Sequence, residues 1–438
     1  MKKILRTARR IAAATIAVIG FSGCDPATPP APATSASAPV PVAPVTNPAA
    51  TTASADHHAH AHGAPAGKSG KTKREVVRVG IESLDVAVDG GAIHLLLGDY
   101  ATNSKSPVLR YLRSTDAGEN WSAPVRVDTD ATAPLAPHRG MDAQIAASGA
   151  KVVAIWNRPG TGFNGRGPMA TALSADGGAT WQPGPNPADD GLPSDHSFVD
   201  CAADAAGVFH LVWLDSRGGP KGLRYANSRD GGRSWSKNTT LKAETCECCW
   251  NTLAVGAEGR VQVLFRDKNP RDMAVISSAD SGVRWGEPAK VGQFNWEFQG
   301  CPHVGGSLLA RGAQLHALVW TGAAGQAGLH HLVSRDHGQS WSPPQRLGDS
   351  DARRGDLAAK DSATTAAVWD RIADGESMVM TAGSRDGGKT WSVPRRISDE
   401  KVTAVYPRII SVPTGYRAFW TESQGAGPGR WKTARLDY

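Results

Sequence analysis

One octapeptide pattern, Ser-x-Asp-x-Gly-x-x-Trp, recurs six times along the 438-residue chain. The copies occupy residues 114–121, 174–181, 228–235, 278–285, 334–341 and 384–391, so that successive copies lie 50 to 60 residues apart. The residue types describe a turn that holds itself. Its aspartates (Asp116, Asp176, Asp230, Asp280, Asp336 and Asp386) can accept hydrogen bonds from backbone N–H groups of the same turn. The glycine two positions later supplies a positive φ. The tryptophan opens the next strand and buries a large ring under the turn. A hairpin recurring at this interval has the period of a four-stranded propeller blade.

A second periodicity interleaves with the first. Apolar runs ending in an aromatic residue occur at Val152–Trp156, Leu211–Trp213, Val261–Phe265, Leu318–Trp320, Ala366–Trp369 and Arg417–Trp420, with Ile93–Leu97 as the version in the first unit. Seven units against six hairpin motifs predict an all-β, seven-bladed β-propeller. The last unit ends early, with one strand near Gly429–Ala434 and no further motif. The segment Arg74–Val79 resembles Ala123–Val127, which follows a hairpin motif. It is expected to supply the missing strand, so that the ring is closed from the N-terminus and keeps no free sheet edge.

The six motifs resemble the Asp-box, or BNR, repeat of sialidases, over the chain from about residue 74 to its end. The resemblance implies a propeller with a six-bladed sialidase-type ring as the alternative count. It also implies Asp-box aspartates that are structural and an active site on the opposite face. A sialidase holds its substrate carboxylate with three arginines, and uses an Asp as acid/base and a Tyr as nucleophile, an exception among glycosidases. Tyr406, Arg408, Arg266, Arg371 and Asp142 are the candidates for those roles here. The Arg-Ile-Pro motif of the first sialidase blade is absent, where Val79–Asp85 reads VGIESLD, and no full arginine triad can be assigned. For each charged residue of these loops, Arg139, Arg353, Arg354 and Asp370 included, a solvated loop or an ion pair between blades is the plainer explanation.

The loops that lead into the inner strands carry a second set of chemical groups. Cys201 lies on the inner strand of the third unit, Cys246, Cys248 and Cys249 precede the fourth, and Cys301 and His303 precede the fifth. Asp142, Asp200 and His196 hold comparable positions. Thiolate and imidazole suit copper(I) or zinc, so Cys246, Cys248, Cys249, Cys301 and His303 form a candidate metal site. Disulfides are the competing account in an oxidising compartment, and a reactive thiol is a third. Besides Cys24 there are five cysteines, an odd number. His94, His210 and His316 fall on second strands, where packing explains them.

The N-terminus places the chain outside the cytoplasm. Five Lys and Arg residues, the apolar run Ile11–Ile19 and the small residues before Cys24 read as a secretory signal over residues 1–23. The order of these features resembles the lipobox of bacterial lipoproteins, which implies lipidation of Cys24 and a membrane partner through that anchor. Residues 24–70 are rich in Ala, Pro, Thr and Ser and read as a tether, with His57, His58, His60 and His62 as a compositional metal-binding signal. Residues 71–438 make the propeller. The formal charge of +7 includes five positives in the signal, which leaves +2 and no basic patch for nucleic acid. A monomer in the cell envelope is expected, facing the periplasm or anchored in the outer membrane. Its function is expected to be that of a binding module, with an exo-α-sialidase or related glycoside hydrolase and an assembly scaffold as the alternatives, and with a glycan or a protein as partner.

Overall fold

The computed structural model describes residues 79–438 apart from 102–106, 163–164 and 194. Cys24, the signal, the tether with its histidines, and residues 74–78 of the expected closing strand lie outside the described residues. The described chain belongs to one compact unit, Lys73–Tyr438. It forms seven small antiparallel sheets, six of four strands and a last one of three. The protein is a seven-bladed β-propeller, and the six-bladed alternative is excluded.

The inner strands of the blades are Gly80–Asp89, Gln144–Ser148, Ser197–Ala203, Thr252–Val255, Ser307–Arg311, Ala352–Ala359 and Thr403–Val412. The second strands are the apolar runs of the sequence. Phe209–Asp215 and Val261–Arg266 are buried at every position, because each face of a blade packs against a neighbour. Val212, Leu214 and Tyr225 of the third blade thus share a core with Val261, Val263 and Phe265 of the fourth. His94, His210 and His316 lie on second strands, and their rings bond to Tyr111, Tyr225 and His331 within their own sheets.

The six hairpin motifs join third to fourth strands and have one geometry. In the first, Ser114 Oγ donates to Asp116 Oδ1 at 2.8 Å and accepts the Gly118 N–H at 2.9 Å, while Asp116 Oδ1 accepts the Asn120 N–H at 2.9 Å. In four copies the tryptophan closes the turn, as where Trp121 Nε1 donates to the Gly118 carbonyl at 3.1 Å. Hydrogen bonds from Asn120 and Ser114 hold the Asp116 carboxyl down at about 2.

Neighbouring inner strands are stitched by carboxylates. Asp85 Oδ2 accepts the Ile145 N–H at 2.9 Å, Asp200 Oδ2 the Leu253 N–H at 2.6 Å, and Asp356 Oδ2 the Ile409 N–H at 3.0 Å. Inner strands splay apart around the channel, so an N–H facing the next blade finds no ladder partner, and a side chain must supply the acceptor. The last blade meets the first at a seam. Val79 O accepts the Gly429 N–H and the Ile81 N–H donates to Gly429 O, both at 2.8 Å, which makes a parallel bridge between Gly80 and Gly429.

Candidate functional site at the channel mouth

The inner strand of the seventh blade, Thr403–Val412, slips register between Val405 and Arg408. Inside the slip Tyr406 takes a left-handed φ of 51°, a costly conformation for an aromatic residue that surrounding contacts must impose. Asp370 Oδ2 accepts the Tyr406 N–H at 3.0 Å, and the Arg139 guanidinium donates to the Tyr406 carbonyl. Phe198, with φ 53°, marks a similar irregularity at the start of the third inner strand.

These contacts set the Tyr406 ring in the wall of a pocket shared by the inner ends of several blades. Arg139, Asp142, Asp200, Phe198, Trp250, Arg354 and Arg408 line it as well. The Arg354 guanidinium lies over the Tyr406 ring, 3.9 Å from its centre. The Trp250 ring lies 5.8 Å from it between ring centres, tilted by 54°. Gly140 closes another side, where an added Cβ would stand 3.0 Å from a Tyr406 ring carbon. Arg354 is itself oriented by Asp370, with Nε 2.9 Å from Oδ2. Arg139 pairs with Asp142 at 2.7 Å.

Charge in the channel is concentrated and partly compensated. Arg408 Nε lies 3.8 Å from Asp85 Oδ1, and 27% of the arginine side chain is reached by solvent. Burial works against its charge, but Asp85, Asp356, Asp142 and Asp200 outweigh that and push its pKa up. Burial pushes Asp85 up to about 6, against the pull of Arg408. Burial and the neighbouring Asp85 push Asp200 up to about 7. The Gln144 amide, with its nitrogen facing the carboxylates, bridges Asp200 at 3.1 Å and Asp85 at 3.2 Å. A carboxyl group that titrates near neutrality in a pocket is poised for proton transfer.

Of the residues singled out from the sequence, Tyr406, Arg408 and Asp142 meet in this pocket. Arg266 and Arg371 stand elsewhere. Arg266 is buried and donates to the carbonyls of Val304, Arg271 and Trp320. Arg371 pairs with Asp349 and Asp351. Sequence reasoning gave no role to Arg139 or Arg354, and did not see that Asp200 would titrate near neutrality. One signal was present: Asp85, Asp200 and Asp356 stand 31, 30 and 30 residues before the motif aspartates Asp116, Asp230 and Asp386. That spacing marks the channel-facing position of each inner strand, two residues after Arg354 in the sixth unit.

The cysteines form a cluster that shares no residue with the pocket lining. Cys246 Sγ lies 3.2 Å from Cys249 Sγ and 3.6 Å from Cys248 Sγ. Cys248, Cys301 and His303 form a second group whose donor atoms lie within 4.8 Å of one another. All five described cysteines are free thiols. Hydrogen bonds from Cys248 and Cys249 favour the Cys246 thiolate, helped by nearby Arg271. Burial pushes Cys249 up to about 12. Cys201 stands apart on its inner strand, where burial and Asp200 keep it a thiol. His196 pairs with Asp190 at 3.1 Å, and the nearby Asp215 is taken up by Arg217, Arg224 and Trp213.

No known protein family matches the sequence, and no curated protein matches it. Solved structures do. An ulvan lyase, described as a polysaccharide lyase bound to -[GlcA(1-4)Rha3S]-, is similar over 83% of this chain and 96% of its own, with a TM-score of 0.56 and 11% identity. A Hadza microbial sialidase matches over 67% of this chain and 63% of its own, with a TM-score of 0.42 and 19% identity. A Trypanosoma rangeli sialidase matches over 70% and 55%, with a TM-score of 0.45 and 14% identity. At these identities the likeness to the lyase is one of fold, the β-propeller.

Proposed function

We propose that the channel mouth binds a carboxylate-bearing glycan and cleaves it as a glycoside hydrolase of exo-α-sialidase type. The observation that carries this reading is the gathering of Arg139, Arg354 and Arg408 around Tyr406 in one pocket. Guanidinium groups match a carboxylate in geometry and charge. In this reading Arg354 and Arg408 receive the sugar carboxylate, and Arg139 holds the backbone that presents Tyr406. The Tyr406 phenol is the nucleophile: its oxygen bonds the anomeric carbon as the leaving oxygen departs, and its proton passes to solvent. Asp200, held near 7, is the proton donor to the leaving oxygen. Trp250 offers a face on which a sugar ring can stack. The glucuronate-containing ligand of the ulvan lyase supports an acidic sugar as the substrate class.

Hydrolysis of a fluorogenic sialoside and of a panel of acidic oligosaccharides tests this. The reading expects turnover by the full chain that falls at least about a hundredfold in Tyr406→Phe, the scale on which loss of a reacting group is felt. Release of an unsaturated, ultraviolet-absorbing product would mark an elimination in place of hydrolysis. A chain that neither cleaves nor retains any acidic glycan refutes the proposal.

We also propose that residues 1–23 are removed on export, that Cys24 carries the lipid and that residues 24–70 tether the propeller to a membrane of the cell envelope. The order of positive, apolar and small residues before Cys24 supports this. Intact mass and detergent partitioning of the wild type and of Cys24→Ser test it, with a lipid-sized mass increment and detergent-phase recovery expected only for the wild type.

A further inference from the structure

We propose that Cys246, Cys248, Cys249, Cys301 and His303 form a two-centre copper(I) thiolate site in which Cys248 bridges the metals. The argument begins with how the donors are grouped. Cys246, Cys248 and Cys249 make one set with mutual distances within 4.8 Å, and Cys248, Cys301 and His303 make another. Only Cys248 belongs to both. Two three-donor sets joined by one sulfur describe two adjoining centres, since a thiolate has lone pairs for two metals.

The sulfur separations fit metal ligands. Thiolates about 2.3 Å from one metal stand about 3.8 Å apart at the tetrahedral angle. The observed 3.6 and 3.2 Å are well beyond the roughly 2.05 Å of a disulfide, and the sulfurs need to open by less than about 1 Å to reach that spacing or the roughly 4.0 Å of a trigonal three-ligand centre. The donor count then selects the metal. Structural zinc is almost always four-coordinate, and each set offers three donors. Copper(I) is soft, is satisfied by three ligands and prefers sulfur.

Charge also closes. Four thiolates and two copper(I) ions leave a net charge of −2. Arg271, Arg266 and Arg166 are the cations whose fields reach Cys246, Cys249 and Cys248. Copper(I) can enter past Cys301 and His303, which are exposed, toward Cys246, Cys248 and Cys249, which are buried. On binding, each thiol releases its proton to solvent, an S–Cu bond forms, and no electron is transferred. This site shares no residue with the glycan pocket, so it stands or falls independently of the proposed hydrolase.

The test uses the full chain with His57, His58, His60 and His62 changed to alanine, which removes the other metal-binding tract. The reduced protein is titrated with copper(I) in competition with a chromogenic chelator. About two copper ions per chain should be retained, and about two again in Cys201→Ser. Cys301→Ser, a change at an exposed position, should retain about one, and Cys248→Ser should retain none. Circular dichroism of each variant checks that the propeller is folded. Retention of no copper by the reduced parent chain overturns the proposal, and so does retention of two by folded Cys301→Ser. Zinc held in preference to copper overturns the metal assignment. Two disulfides that persist in excess reductant overturn the site altogether.

Discussion

Asp370, fully buried on the second strand of the sixth blade, accepts the backbone N–H of Tyr406 on the inner strand of the seventh at 3.0 Å. Its other oxygen accepts the Arg354 N–H at 3.1 Å. One carboxylate therefore sets the left-handed backbone of Tyr406 and places the guanidinium that covers its ring. Asp370→Ala should cost about 3–5 kcal/mol, the scale for a buried charge pair broken on one side. Denaturant unfolding measures it. Asp370→Ala combined with Arg354→Met should recover part of the loss, because the arginine is then no longer buried without a partner. A loss below about 1 kcal/mol for Asp370→Ala would show that the contact does not hold the site.

The raised carboxyls make stability depend on pH in a stated direction. Asp85 near 6 and Asp200 near 7 both lie above the ordinary aspartate value of 3.8. The native state therefore holds protons that the unfolded chain has released, and these groups lower stability as pH rises from about 4 to about 7. Asp200→Asn, a neutral side chain that can still accept from Leu253, should flatten that part of the profile. Thermal melts of both proteins between pH 4 and pH 8 decide it. Parallel profiles would mean that Asp200 titrates normally.

The same group governs the acid-base behaviour expected of the site. If Asp200 donates the proton, turnover of an acidic glycan should fall as pH rises through about 7. Asp200→Asn should lower the rate by about 10²–10⁴-fold, the range for a positioned general acid, and should remove that alkaline limb. A variant that keeps the limb assigns it to another residue.

The hairpin motifs give a prediction that can be repeated around the ring. In the second copy Ser174 Oγ bonds Asp176 and the Gly178 N–H, and Asp176 accepts the Thr180 N–H. Asp176→Ala should lower the denaturant midpoint, as expected for the loss of a capping acceptor. Asp176→Ala and Asp336→Ala together should cost the sum, since the two hairpins share no partner. Chemical denaturation of the single and double variants checks both statements. A double variant that loses far more than the sum would indicate that the blades do not yield independently.

The seam is sensitive to volume. A Cβ on Gly429 would stand 2.3 Å from the Ile81 carbonyl oxygen. Gly429→Val should open the junction between the first and last blades and expose it to limited proteolysis. Gly425→Val lies in the same blade, where a Cβ meets nothing within 4 Å. Its φ of 56° adds a backbone strain that Gly429 lacks, so a larger effect at Gly429 belongs to the clash. Equal protease resistance of the two variants would show that the seam tolerates a side chain.

Most of the architecture was legible in the sequence. The hairpin motif is local, its bonds span four residues or fewer, and its spacing sets the blade length. The buried second strands announce themselves as apolar runs because both faces are covered. The channel was not legible in the same way. Tyr406 and Arg354 meet across 52 positions, and Arg139 reaches the Tyr406 carbonyl across 267. Such contacts depend on how blades are stacked, which no local pattern records. The titration of Asp200 was hidden for a related reason, since burial by several blades determines it and not the residues beside it in the chain. The cysteines lay between these cases. Their positions before the inner strands indicated that they would share a face, while the grouping around Cys248 required coordinates.

The bridge between Gly80 and Gly429 joins positions 349 apart, whereas every hairpin is secured within its own turn. Blades can therefore form in the order in which they are made, but the circle cannot be completed until almost the last residue is present. Until then the first and last sheets each present an apolar face without the blade that covers it, the kind of surface that recruits other chains. The interval between the first blade and the last is the period in which this protein is most exposed to aggregation, and a chain cut short before residue 429 would never leave it.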